Sequence, residues 1–181
     1  MARIYLVRHG RAAAGFADHP DPGLEDTGRR QAEAAAEALA PLGPLALRSS
    51  PLARALETAA PLAARWGREP QVEERVAEIP SPTEDLAVRA QWLRKVMAGN
   101  WADVPELADW RARLVSYLEQ LGEDSVIFSH FIAINVAVGA ATGDDRVVCF
   151  RPDNASITVI ENEGRSLSIV ELGSQADTRV N

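Results

Sequence analysis

The stretch RIYLVRHGR at residues 3–11 constrains this chain more than any other. Four apolar residues, Ile4, Tyr5, Leu6 and Val7, stop abruptly at Arg8-His9-Gly10, with another arginine at Arg11. A short, uninterrupted run rich in β-branched and aromatic side chains suits a strand covered on both faces, as in a parallel sheet. In open α/β sheets, ligands occupy the crevice at the carboxyl ends of such strands. Arg8 and His9 are thereby delivered to that crevice, while Gly10 lets the chain turn sharply and a ligand approach the backbone. Taken alone, the triplet fits a solvated basic turn equally well.

A second apolar run, SVIFS at residues 125–129, also ends in a histidine, His130, and enters an apolar helical stretch closed by Gly143. Two histidines, each at the carboxyl end of a buried strand, are harder to set aside than one. Between them, a short strand at residues 45–47 runs into Arg48-Ser49-Ser50-Pro51. Ser50 before Pro51 predicts a helix start, with a capping hydroxyl and proline at the first helical position. Arg54 falls in the first turn, where free N–H groups and the helix dipole welcome an oxyanion. The plain alternative for Arg54 is a surface pair with Glu57. Pro61 should kink or split this helix before Trp66.

The remaining pattern fills out an α/β chain. A helix is expected over residues 26–40 with Thr27 as a cap, ended by Pro41 and Gly43. The loop before it carries His19, read as exposed. Residues 72–79 form a short strand or an extended loop, and residues 84–98 and 104–121 two amphipathic helices. Trp92, Trp101 and Trp110 read as core packing in preference to a substrate mouth. Residues 156–160 and 166–172, around Gly164, form a hairpin, followed by a polar tail over residues 173–181. The expected fold is a three-layer α/β sandwich with a mostly parallel central sheet flanked by helices and an antiparallel edge hairpin at the C-terminus. One domain spans 1–181, with a short helical cap at about 80–120.

A net charge of −7 disfavours nucleic-acid binding but leaves room for a local anion pocket. Lys95 is the only lysine, so the basic side chains are arginines suited to bidentate oxyanion contacts. Cys149, the only cysteine, excludes an intramolecular disulfide and a multi-cysteine zinc site, and its VVCF setting predicts a buried, inert thiol. No apolar run reaches membrane-spanning length or resembles a signal-peptide core, so a cytoplasmic location without membrane partners is expected.

Together, Arg8-His9-Gly10, Ser49-Ser50-Pro51-Leu52-Ala53-Arg54-Ala55 with Glu57-Thr58-Ala59, and Ser129-His130 resemble the histidine phosphatase superfamily, which includes phosphoglycerate mutases and acid and regulatory phosphatases. LEDTGRRQA at residues 24–32 resembles the family's first helix, with Glu25 where threonine is usual. The resemblance implies that His9 is a nucleophile that becomes a phosphohistidine. Arg8, Arg54, His130 and Gly10 would then contact the phosphoryl oxygens. Glu78 would protonate the leaving oxygen; Pro80-Ser81-Pro82-Thr83 replaces the family's frequent Gly-x-x-Glu-Gly, and Glu84 or Asp85 stands as the fallback acid. No metal or cofactor is implied, and the partner is a phosphorylated small molecule. Phosphoryl transfer asks mainly for in-line positioning and cationic stabilisation, which two arginines and two histidines can give.

Departures from the pattern favour a phosphatase over a mutase. Gly15 stands where mutases carry asparagine, Phe131 replaces the glycine after the second histidine, and the insert after Glu78 is short. A mutase needs a well-covered site that protects its phosphoenzyme from water. The expected activity is therefore a metal-independent phosphomonoesterase acting through phospho-His9. The alternatives are a phosphohistidine or phosphoprotein phosphatase, a phosphoglycerate mutase, or a non-catalytic phosphate-binding regulatory module. Oligomeric state is left open.

Overall fold

The structure is a computed structural model that describes residues 1–15 and 18–175. Six strands form one sheet: β1 (Ala2–Arg8), β2 (Ala46–Ser49), β3 (Gln71–Val72), β4 (Ser125–Ser129), β5 (Ile157–Glu163) and β6 (Ser166–Glu171), in the order β3-β2-β4-β1-β5-β6. β3, β2, β4 and β1 run parallel, whereas β1–β5 and β5–β6 are antiparallel. This is the mostly parallel sheet with a C-terminal hairpin that the sequence predicts. The hairpin adds more than an edge, because β5 pairs directly with β1.

Strand periodicity sorts the core into two layers. Ile4 and Leu6 of β1 and Ile127 of β4 face one side, packed with α4 (Ala108–Gln120) and α5 (Phe131–Thr142). Val7 of β1 and Val126 and Phe128 of β4 face the other, against α1 (Asp26–Leu39) and α2 (Ala53–Trp66). Alanines at 35, 36, 55 and 59 form the α1–α2 seam and let the two helices approach closely. The segment around α3 (Leu86–Met97) and α4 belongs to the first layer: Leu93, Val96, Trp101, Leu107, Leu114 and Leu118 are all in its core. Trp101 is buried and lies 6.1 Å from Trp110, with Trp92 packed against the same cluster, so the tryptophans are core residues.

Several local expectations are corrected. α2 begins at Ala53, not at Pro51, and its first N–H is capped from a distance by Asp21 Oδ1 at 2.8 Å, leaving the Ser50 hydroxyl for another partner. Pro61 neither splits nor ends α2. The carbonyl it deprives of a partner is that of Glu57, an exposed position where water can compensate. Thr27 is not the α1 cap; Glu25 holds that position without a side-chain bond, and Thr27 Oγ1 accepts from Arg30. Cys149 is half-buried, not buried, with its thiol pushed up chiefly by desolvation. His19 is exposed, as expected. Of the predicted tail, residues 173–175 are tied in: Gly173 N–H donates to Thr158 Oγ1, the Ser174 carbonyl accepts from Asp153 N–H, and Gln175 Oε1 accepts from Arg151 N–H. Residues 176–181 lie outside the described residues. Among the described residues, no helix is long and apolar enough to cross a membrane.

Candidate active site

β1, β4 and β2 end side by side, and their carboxyl ends supply Arg8-His9, His130 and Ser49-Ser50. His9 N–H donates to the Ser129 carbonyl, so the parallel ladder continues one residue past β1 and fixes His9 beside His130. The two imidazole centroids are 5.3 Å apart.

His9 is fully enclosed, and its two ring nitrogens have unlike partners. Nδ1 lies 2.7 Å from the Gly10 carbonyl, which can only accept; Nε2 lies 3.2 Å from Arg54 Nε, which can only donate. These partners together assign the proton to Nδ1 and a bare lone pair to Nε2. Burial holds the imidazole well below its usual range, with Arg54 and then Arg8 adding to the effect. Arg54 makes no surface pair with Glu57; it is buried at the start of α2.

Arg8 is buried, donates from Nη1 to the Pro152 carbonyl at 2.9 Å, and stacks over Phe131 with its guanidinium carbon 5.2 Å from the ring centroid. Desolvation lowers its pKa to about 10, against the favourable charges of Glu78 and Asp153. Arg151 lies 5.6 Å from the centroid of the same ring, so Phe131 is a platform for two guanidinium groups. Arg89 of α3 is half-buried and also feels the Glu78 charge, while its own charge acts on Arg54.

Gly10 is needed for a reason other than a turn. A Cβ there would sit 2.5 Å from the Gly28 carbonyl oxygen, and one on Gly28 would overlap the Arg11 carbonyl oxygen. These two glycines let α1 press against the loop after β1. Glu25 N–H then donates to the Arg11 carbonyl, and Gln31 Oε1 accepts from Arg11 N–H. The Gly10 N–H donates to Thr58 Oγ1 at 2.9 Å, and the Thr58 hydroxyl donates to the Arg54 carbonyl at 2.6 Å. Thr58 thus ties the loop carrying His9 to the first turn of α2 carrying Arg54. Thr58 belongs to the Glu57-Thr58-Ala59 motif, but nothing local in the sequence marks this link, whose partners lie 48 residues away and one turn back.

Glu78 is buried, whereas Glu84 is exposed and the Asp85 carboxylate caps α3 through Ala87 and Val88 N–H. Of the three candidate acids, Glu78 is the buried one, and its charge acts on Arg8 and Arg54. Its Oε1 accepts from Ile79 and Ala133 N–H, and its Oε2 from Ile132 N–H, at 3.0–3.1 Å. The carboxylate therefore caps α5, the helix that begins beside His130. Burial raises its pKa, opposed by those backbone bonds and by Arg54. Ser129 Oγ donates to the Val76 carbonyl at 2.7 Å and anchors the turn that carries Glu78. Among the described residues, no three His, Cys, Asp or Glu side chains gather as a metal-ligand set.

On the far side of His9, its carbonyl accepts from Ala155 N–H at 3.2 Å. Ala155 has φ +58°, a left-handed conformation that costs a non-glycine residue roughly 1 kcal/mol. That strain is confined to the loop that also gives the Pro152 carbonyl to Arg8.

A mixed α/β sheet bringing Arg8, His9, Arg54 and His130 together at its strand ends has clear relatives. The chain matches the histidine phosphatase superfamily (branch 1) over residues 4–175, and it belongs to that family. It is 41% identical over 82 residues to a glucosyl-3-phosphoglycerate phosphatase of Mycolicibacterium vanbaalenii; the match covers 43% of this chain and 36% of that protein's length. Among solved structures, it resembles a mycobacterial glucosyl-3-phosphoglycerate phosphatase in complex with VO3, with TM-score 0.72, 23% identity and coverage of 97% of this chain and 100% of the other. A phosphoserine phosphatase from Entamoeba histolytica in complex with 3-phosphoglyceric acid gives TM-score 0.73 at 22% identity, covering 97% and 98%. These two structural likenesses show the fold.

Proposed function

We propose that this protein is a metal-independent phosphomonoesterase that works through a phosphohistidine on His9. The observation carrying the reading is the bare Nε2 of a buried, neutral His9 lying against Arg54. A neutral imidazole lone pair surrounded by cations meets an incoming phosphoryl group, whose oxygens the same cations attract.

In the first step, His9 Nε2 attacks phosphorus in line and the bond to the leaving oxygen breaks. Arg8, Arg54 and His130 hold the equatorial oxygens. Glu78 Oε2, which accepts a single backbone bond, gives the leaving oxygen its proton. Burial already raises Glu78, and a phosphate dianion nearby raises it further by like-charge repulsion. In the second step, water attacks the phosphohistidine, Glu78 takes the water's proton, and His9 regains its lone pair.

Arg89 and Arg151 lie beyond what one phosphoryl group requires, and favour substrates with a second anionic group. The relatives named for glucosyl-3-phosphoglycerate and phosphoserine support trying carboxylate-bearing phosphomonoesters first. The test is phosphate release across phosphoglycerates, phosphoserine, sugar phosphates, nucleotides and phosphopeptides, with wild type, His9→Ala and added chelator. Wild-type turnover that chelator leaves unchanged and His9→Ala abolishes supports the reading. Equal release by wild type and variant on every compound overturns it.

A further inference from the structure

Ser50 stands one residue past β2, fully buried, and its hydroxyl oxygen is 2.7 Å from His130 Nε2. The same oxygen accepts the Leu52 N–H at 3.2 Å. Leu52 N–H is a donor, so among the described residues His130 Nε2 is the group positioned to accept the Ser50 hydroxyl hydrogen. If Nε2 instead carried a proton and donated to Ser50, the hydroxyl hydrogen would be left without an acceptor in a sealed site, which is costly. At the other ring position, His130 Nδ1 is buried without a hydrogen-bond partner among the described residues.

We propose that Ser50 is a positioning residue that holds His130 as the Nδ1–H tautomer, so that a neutral His130 presents an N–H donor to a phosphoryl oxygen at His9. The opposite tautomer would set a lone pair against the oxygen's lone pairs. Double protonation is resisted by burial and by Arg54, His9 and Arg8, which together hold His130 well below the ordinary imidazole range. Glu78 is the nearby acidic group, and its carboxylate is directed to backbone N–H groups of α5 rather than to the ring. His9 reaches the same tautomer through the Gly10 carbonyl, but there the bare nitrogen does the work.

The consequence for turnover rests on the phosphatase reading; the tautomer does not. Ring 15N shifts of His130 in the full-length protein near pH 7.5 decide it. The expected result is a protonated-type Nδ1 and a bare-type Nε2 in wild type, and a mixture of tautomers in Ser50→Ala. In parallel, kcat of Ser50→Ala should fall in proportion to the lost Nδ1–H fraction with KM nearly unchanged, up to the about 10²-fold that marks complete loss of one charge-stabilising donor. Ser50→Thr, which keeps the hydroxyl, should restore the wild-type shifts. An Nε2-protonated His130 in wild type, or shifts unaltered in Ser50→Ala, overturns the proposal. So does an altered tautomer with unaltered kcat. If no substrate is turned over, the shifts still decide what Ser50 does while the phosphatase reading falls separately.

Discussion

His9 and His130 leave neighbouring parallel strands at matching positions, each buried and each neutral, yet their surroundings make them different tools. Both nitrogens of His9 are engaged, and its bare Nε2 faces the donor edge of Arg54. His130 is gripped through Nε2 by a serine and keeps Nδ1 without a partner among the described residues. A strand end supplies a place for a side chain; its hydrogen-bond partners supply the role. The same lesson holds for two glutamates that the sequence singles out. Glu57 on α2 is exposed, whereas Glu78 receives three N–H groups and is a candidate acid.

The sharpest break in this comparison is between nucleophile and donor. His9→Ala should lower kcat by about 10⁴-fold or more, because the proposed phosphohistidine cannot form. His130→Ala should lose about 10²–10³-fold, the scale for removing one stabilising donor. Steady-state kinetics on one good substrate checks the order; equal losses would erase the distinction between the two histidines.

A smaller effect comes from pH. Both histidines titrate well below the ordinary value of 6.5 in the folded chain, chiefly because of burial. Between that value and their depressed folded values, the unfolded chain binds more protons. Their contribution to stability is therefore present above pH 6.5 and is lost as the pH falls below it. Glu78 acts in the opposite sense, losing stability as the pH rises from 4.5 through its raised folded value. The gap in unfolding midpoint between wild type and His130→Gln should change against wild type from pH 7.5 to pH 5.5, because Glu78 is common to both and cancels. A gap that stays the same would mean His130 is not neutral in the folded protein.

The supports of the site come last. Gly28→Ala forces a Cβ onto the Arg11 backbone and should destabilise by about 1–3 kcal/mol, as overpacking does. Thr58→Val removes both hydrogen bonds that join Gly10 to Arg54 and leaves a buried N–H unpaired, at a cost of about 1–3 kcal/mol. The two variants separate in kinetics. Thr58→Val should lower kcat by about tenfold, because a small displacement of Arg54 relative to His9 degrades alignment. Gly28→Ala should chiefly shift the denaturation midpoint. Denaturant titration alongside kcat distinguishes them.

The parts of this molecule that were readable from the chain are those in which one local segment carries the signal. The apolar strand running into Arg8-His9-Gly10, the repeat of that arrangement at His130, and the hairpin around Gly164 are such segments. What stayed hidden depends on partners far away in sequence. Ser50 looked like a helix cap because nothing local reveals His130, 80 residues on, while the real cap of α2 is Asp21, 32 residues before Ala53. Glu78 looked insecure because its neighbours depart from the family pattern; its place is set by the start of α5, 54 residues later. At Gly10 the local signal is a sharp turn, whereas the close approach that excludes a side chain there comes from the backbone of Gly28, 18 residues on, and its N–H is held by Thr58.

In the proposed reaction, turnover passes through two successive displacements at phosphorus, the first by His9 Nε2. The most direct test is the stereochemical course of phosphoryl transfer, using a phosphomonoester made chiral with oxygen isotopes and an acceptor alcohol in place of water. Two in-line displacements predict retention of configuration at phosphorus. Inversion would mean a single direct displacement, and His9 would not be the nucleophile.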